Sequence, residues 1–247
     1  MGTITSCGLD SISSVDRTVT QNLFLPPQIS EGDYKRIPEL FYIDGVATME
    51  LHPNIYRTDR IIIYSQGNAS DIYYARHELL AYSNLFGCPV VSYNYPGYGL
   101  CKETPSEELC HVSLNAVVNY YLKQYDASKI LLIGRSLGTG VVVHYAWKAQ
   151  WCNPIVLISP YKSIGRVVCD YGIIDSMFRH NMFRSFDKID KLCCPVRIIH
   201  GCKDSLIGIS HGKDLHVRLK YPLRPVWKDK CDHNNIELEK ADLMDLL

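Results

Sequence analysis

Ser136 stands between Gly134 and Gly138, and Asp204 and His233 follow it in the chain order serine, acid, histidine. A serine hydroxyl is a weak nucleophile until a base takes its proton, and an imidazole held by a carboxylate is such a base. Three residues of these types in this order suit acyl transfer through a covalent serine ester. The flanking glycines leave room for a tight strand-to-helix turn that lifts the serine clear of the backbone. That turn also aims the first free N–H groups of the following helix at the place where an oxyanion develops. The backbone N–H of Leu137 is therefore one expected oxyanion donor.

A Gly-x-Ser-x-Gly pattern also occurs by chance, so its flanking elements decide its meaning. Residues 130–133 form a short apolar run with β-branched members, as in a strand buried on both faces, and a helix-compatible run follows Gly138. Upstream, residues 60–65 read as another buried strand that breaks into Gln66-Gly67-Asn68-Ala69-Ser70 before a helix over 71–86. A loop bearing Gly67 at that place is where a second oxyanion donor belongs, and the backbone N–H of Asn68 is assigned to it. An ordinary turn with Ser70 or Asp71 as helix cap is compatible with the same position. Residues 194–201 form a further strand, and Asp204 lies just past its carboxyl end, where ligand sites of open α/β sheets gather. His233 sits on a polar loop over 229–235, after a last strand over 222–227. Among the other histidines, His200 ends a strand and reads as structural. Asp232 is the rival acid, but adjacent side chains in an extended loop diverge, which favours Asp204.

The remaining chain continues the rhythm. Asp44-Gly45 joins two β-rich runs over 40–49, a hairpin expected as edge strands. A strand over 89–94 leads to Tyr95-Pro96-Gly97-Tyr98-Gly99, whose aromatics are expected at the rim of the site. A helix over 106–125, a strand over 153–158, a helix over 206–219 and a terminal helix complete the alternation. The pattern predicts an α/β protein with a mostly parallel central sheet and helices on both faces. Residues 22–247 are expected to form one domain, with Leu23, Phe24 and Leu25 packed onto it ahead of a double proline that no helix continues through. Residues 160–191 break the alternation, setting Tyr171, Met177, Phe178, Met182, Phe183 and Phe186 among basic residues. They suit a short cap with an open, shallow acyl groove. Apolar helix faces packing on the sheet fit equally, and the two are not exclusive.

The 247-residue chain is 47% hydrophobic, enough for one large core, and its 26 basic residues balance 26 acidic ones. Without net positive charge or a Lys/Arg cluster with interleaved aromatics, nucleic acid is not an expected partner. The ten cysteines lack Cys-x-x-Cys pairs and metal-type spacing, so they read as reduced thiols of a cytosolic protein. No metal or cofactor is expected, and a monomer is. No apolar run reaches the roughly 18 residues of a membrane span. The start, Met1-Gly2-Thr3-Ile4-Thr5-Ser6-Cys7, fits N-myristoylation at Gly2, with Cys7 open to palmitoylation. One myristoyl chain holds only marginally, and the first basic residue is Arg17, so Cys7 is the expected second signal. Residues 1–21 then form a lipidated tether to the cytoplasmic face of a membrane; a Ser/Thr-rich start that matches by accident is the plainer alternative.

Several motifs together resemble the alpha/beta hydrolase domain-containing 17 group of protein depalmitoylases: Asn22-Leu-Phe-Leu-Pro-Pro27, Gln66-Gly-Asn-Ala69, Tyr93-Asn-Tyr-Pro-Gly-Tyr-Gly99, Gly134-Arg-Ser-Leu-Gly138, Ile198-Ile-His-Gly201 with Asp204, Ser210-His-Gly212 and His233-Asn-Asn-Ile-Glu-Leu238. The similarity extends over most of residues 22–247, and Bem46-like hydrolases share part of it. It implies an α/β-hydrolase fold, a triad of Ser136, Asp204 and His233, and S-acylated, membrane-bound proteins as substrates. Two departures stand out. The group usually carries His-Gly-Asn where this chain has Gln66-Gly67-Asn68, and it anchors through an N-terminal cysteine cluster where this chain has Gly2 and Cys7. A lipid esterase acting on monoacylglycerol or lysophospholipid would use the same site. A serine peptidase of the same fold and a membrane-tethered scaffold without chemistry are the remaining alternatives.

Overall fold

The computed structural model of the chain describes residues 23–168 and 181–247. The expectations for Gly2, Cys7 and the tether, and for Tyr171, Met177 and Phe178, lie outside the described residues. Within them, eight strands make one sheet: β1 (Leu40–Ile43), β2 (Val46–Leu51), β3 (Ile61–Ser65), β4 (Val90–Tyr93), β5 (Ile130–Arg135), β6 (Ile155–Ile158), β7 (Val196–Gly201) and β8 (Val226–Lys228). Their order is β1-β2-β4-β3-β5-β6-β7-β8. The pairs β1–β2 and β2–β4 are antiparallel, and all others are parallel. Among the described residues seven helices accompany the sheet: α1 (Glu31–Tyr34), α2 (Ile72–Phe86), α3 (Glu107–Tyr121), α4 (Leu137–Lys148), α5 (Ile164–Val168), α6 (Ile209–Arg218) and α7 (Lys240–Leu243).

The period of two in the central strands sorts side chains between two apolar layers. Ile61 and Ile63 of β3 join Leu114, Val118 and Val142 of α3 and α4, while Ile62 and Tyr64 join Leu79 and Phe86 of α2 on the opposite face. Each fully buried isoleucine contributes about 1.5–3 kcal/mol, so a strand apolar on both faces belongs in the middle of the sheet. Helix starts are chemically marked. Asp71 accepts from the N–H groups of Tyr73 and Tyr74 at the head of α2, and Ser106 accepts from Leu109 at the head of α3. At the hairpin, Asp44 and Gly45 have φ of 47° and 83°, the paired positive values of a tight primed turn.

Several sequence expectations shift. Of the two hairpin strands, β1 lies at the sheet edge and β2 does not, because β2 also pairs with β4. The helix expected over 206–219 begins at Ile209, since Asp204 Oδ1 accepts from the N–H groups of Leu206 and Ile207 and holds them in a turn. The last strand begins at Val226 rather than Pro222: Pro222 makes one isolated bridge to Val196, and Pro225 has no N–H for a ladder. Of the apolar trio after Asn22, Phe24 is buried but Leu25 is 54% exposed. In the 160–191 stretch, Tyr161 and Phe183 are buried against α4. A Cβ on Gly140 would lie 2.5 Å from Tyr161 Oη and 2.8 Å from Phe183 Cβ. The described part of that stretch thus packs on the fold.

The eight cysteines among the described residues are free thiols. Burial pushes Cys88 and Cys194 up to about 12, so they behave as small apolar side chains. Among the described residues, no helix is long and apolar enough to cross a membrane.

Candidate active site

β5 ends at Arg135, α4 begins at Leu137, and Ser136 alone makes the turn between them, with φ 49° and ψ −117°. A non-glycine residue at positive φ stores backbone strain, and here its neighbours over-determine it. The Ser136 N–H donates to Ile158 O at 2.9 Å, and Ser136 O accepts from both the N–H (2.9 Å) and the hydroxyl (2.7 Å) of Thr139. A Cβ on Gly134 would sit 2.5 Å from Gly138 O, and one on Gly138 would collide with Ser65 O. Both glycines are therefore demanded by close backbone approach. Gly67 differs: an added Cβ would meet Ser136 Cβ at 3.6 Å, an ordinary contact, so space does not require glycine there.

His233 joins the serine and the acid. Its Nε2 is 3.0 Å from Ser136 Oγ, and its Nδ1 is 2.8 Å from Asp204 Oδ2. The tautomer these partners require places the proton on Nδ1, donating to the carboxylate, and leaves Nε2 to accept from the serine hydroxyl. The loop is brought to β7 by backbone contact: the Lys203 N–H donates to Cys231 O at 2.9 Å, and a Cβ on Gly201 would stand 2.5 Å from that same oxygen.

Burial alone would raise the Asp204 carboxyl. Hydrogen bonds from His200 and His233 and from the Ile207 N–H outweigh it and hold the group well below the usual carboxylate range. His200 is fully buried, bonded to Ile207 O at 2.8 Å and 3.5 Å from Asp204 Oδ2, so it braces the acid. Asp232 is exposed and its Oδ1 accepts from the N–H groups of Asn234 and Asn235, which makes it the cap of the histidine loop's own turn.

The loop from Gln66 to Asn68 runs directly beside Ser136. Tyr95 and Tyr98, expected at the rim, are buried behind this loop instead. Tyr95 Oη donates to Gln66 O at 2.9 Å, and Tyr98 Oη donates to Asn68 Oδ1 at 2.6 Å. Gln66 Nε2 donates to Tyr93 O, and Asn68 Nδ2 donates to Leu23 O at 2.6 Å. The side chains of Gln66 and Asn68 are thus committed to holding the loop in place. Leu137, as first residue of α4, has an N–H with no carbonyl one turn earlier in the helix.

A cavity of about 820 Å³ opens over Ser136 and His233 and extends between α2 and residues 234–238, with Leu25, Tyr82, Leu85 and Leu238 on its walls. None of the described residues of 160–191 lines it. The cavity runs along α2, and of the described residues of 160–191, Tyr161 and Phe183 pack against α4.

The alpha/beta hydrolase fold family matches residues 61–193, more than half of the chain. The chain belongs to the alpha/beta hydrolase family. It is 33% identical to the putative alpha/beta hydrolase L404 of Acanthamoeba polyphaga mimivirus, over 95% of this chain and 93% of that one. It is 32% identical to alpha/beta hydrolase domain-containing protein 17C of Mus musculus and of Homo sapiens, over 72% of this chain. The chain spans about half the length of these two relatives, 55% and 54%. Among solved structures, an alpha-beta serine hydrolase homologue from Coxiella burnetii superposes with a TM-score of 0.59 at 15% identity, over 84% of this chain and 91% of that one. A monoacylglycerol lipase from Paleococcus ferrophilus superposes at 0.56 and 15% identity, over 76% of this chain and 90% of that one.

In this hydrolase, residues beyond those read from motifs hold the histidine loop. Arg135 Nη1 donates to Glu78 Oε1 at 2.9 Å, and Nη2 donates to the carbonyls of His233 (3.4 Å) and Asn234 (3.0 Å). Tyr82 Oη donates to the same Glu78 oxygen at 2.7 Å and accepts from the Leu238 N–H at 3.3 Å. Both ends of residues 233–238 are thus tied to α2 through Glu78. Arg135 occupies the variable position of Gly-x-Ser, and nothing in spacing points from it to Glu78 or to the histidine loop. A misplacement of about 1 Å can cost on the order of 10²-fold in rate, so Arg135→Ala should lower kcat by about that much, with a smaller change in KM. Steady-state kinetics of Arg135→Ala beside Arg135→Lys check this, and an unchanged kcat in both would show that the loop holds itself.

Proposed function

We propose that the chain is a serine hydrolase that cleaves acyl thioesters, acting as a membrane-associated protein depalmitoylase. The observation that carries the reading is the relay Ser136–His233–Asp204, at 3.0 and 2.8 Å, opening into a groove with apolar walls. His233 Nε2 takes the serine proton as Oγ attacks the acyl carbonyl, and Asp204 stabilises the imidazolium that forms. The N–H groups of Asn68 and Leu137 face the oxyanion. Collapse of the tetrahedral intermediate expels the cysteine thiol, which takes its proton from His233. Water activated by His233 then releases the fatty acid from Ser136. The resemblance to the domain-containing 17 group, which implies S-acylated proteins as substrates, supports a thioester on a protein, and the open groove would admit an acyl chain still attached to a bulky carrier.

Long-chain S-acyl peptides should therefore exceed acetyl esters, monoacylglycerol, lysophospholipid and peptide amides in kcat/KM. A clear preference for the glycerol esters would favour a lipid esterase, and cleavage of amides alone would overturn both readings.

Membrane association would come through Gly2 and Cys7. Each buried CH₂ of an acyl chain contributes about 0.8 kcal/mol, and two chains hold where one exchanges. Gly2→Ala and Cys7→Ser should each move the protein toward the soluble fraction of lysed cells. Unchanged association in both would remove the lipidation.

A further inference from the structure

We propose that Glu107, His111 and His144 form a binding site for one divalent transition-metal ion of the zinc, nickel and copper class, bridging α3 and α4. Glu107 opens α3 and His111 lies one turn later on the same face, while His144 approaches from α4. One ligand atom from each lies within 4.8 Å of the others. His111 Nε2 is already 3.2 Å from Glu107 Oε1, and the two imidazole rings stack at 3.6 Å with planes 14° apart.

The pair is poorly provided for by the protein itself. Nδ1 of His111 and Nδ1 of His144 are both buried without a hydrogen-bond partner. Stacking two imidazoles beside a carboxylate concentrates lone pairs, an arrangement a cation relieves. Two imidazoles and one carboxylate suit borderline ions such as Zn²⁺, with a position left for water or a further ligand; Ca²⁺ and Mg²⁺ prefer all-oxygen sets. A second cavity of about 750 Å³, lined also by Asn115, Lys148 and Lys188, opens beside these residues and supplies both access and room. The near-parallel rings must tilt for their lone pairs to converge on one ion. Lys188 Nζ, 3.9 Å from Glu107 Oε1, is the resident cation that the metal displaces. None of the three ligands lines the cavity over Ser136, so the site stands apart from the hydrolytic one.

Titration of chelator-stripped protein with Zn²⁺ by calorimetry, with Cu²⁺ followed by electron paramagnetic resonance, tests the assignment. One ion per chain is expected, with hyperfine coupling to two imidazole nitrogens and a raised thermal midpoint. Losing even an outer partner of a metal ligand costs about 10–100-fold in affinity, so His144→Gln and Glu107→Gln should each weaken binding by about 10²-fold or more. Lys188→Met should tighten it by removing the competing ammonium. His52→Gln, at an exposed histidine beside Glu50, should change nothing. Absence of binding to the wild-type chain would overturn the proposal. So would an unchanged affinity in both His111→Gln and His144→Gln when circular dichroism shows them folded.

Discussion

Replacing Ser136 by alanine should lower kcat on the order of 10⁶-fold while the protein stays folded, as loss of nucleophile or base does in another serine hydrolase. Alanine meets the same backbone cost at φ 49° as serine, and the serine side chain makes no cap bond to α4. The substitution therefore removes the hydroxyl and its 3.0 Å partner, His233, and little else. His233→Ala should cost activity comparably, because Ser136 then has no base. It also takes one hydrogen bond from a buried carboxylate, a stability loss of about 1–3 kcal/mol. Labelling by a fluorophosphonate probe, beside hydrolysis of a chromogenic ester, separates the cases: wild type reacts, and Ser136→Ala neither labels nor turns over. A Ser136→Ala protein retaining most of its turnover would move the nucleophile elsewhere.

Asp204→Asn should lower kcat by about 10⁴-fold, the loss seen when an amide misassigns the histidine tautomer in another triad enzyme. Asp232→Asn should stay close to wild type in rate, because that side chain is engaged with the backbone of Asn234 and Asn235. Equal losses in the two variants would dismiss the choice of acid. The two proteins should also part in acid. A carboxyl whose folded pKa is depressed contributes stability that is fully present above its unfolded value, about pH 4, and is lost as pH falls toward the lower folded value. The stability gap between wild type and Asp204→Asn should therefore be widest near neutrality and narrow below about pH 4. Denaturant unfolding of both proteins across that range measures it.

The glycines differ in how much of their role the local sequence carries. Gly134 and Gly138 were legible as an elbow, and their backbone contacts give the reason. Gly67 was legible only as part of a loop, and its space is ordinary. Tyr95 and Tyr98 looked like rim aromatics because a turn after a strand is commonly exposed. They are buried because their hydroxyls reach the loop beside Ser136, a contact between residues 29 and 30 positions apart. The composition of residues 160–191 suits an acyl groove and packing on the sheet equally. Composition does not say whether Tyr161 and Phe183 face a ligand or a helix, and here both face α4.

From the chain alone came the features that are local: short continuous apolar runs, which suit strands buried on both faces with helices on each side of the sheet, and a serine set between glycines at a strand-to-helix junction. The order of acid and histidine after it was readable too, because each follows a strand whose end lies at one edge of a parallel sheet. Only the tertiary structure decided which acid turns toward His233, since Asp204 and Asp232 differ in what their oxygens already hold and not in residue type. It alone decided that Arg135, Glu78 and Tyr82 tie the histidine loop to α2. These contacts join residues 57, 98, 99 and 156 positions apart, and hydrogen bonding over such separations is set by how the layers pack and leaves no periodic trace in the chain.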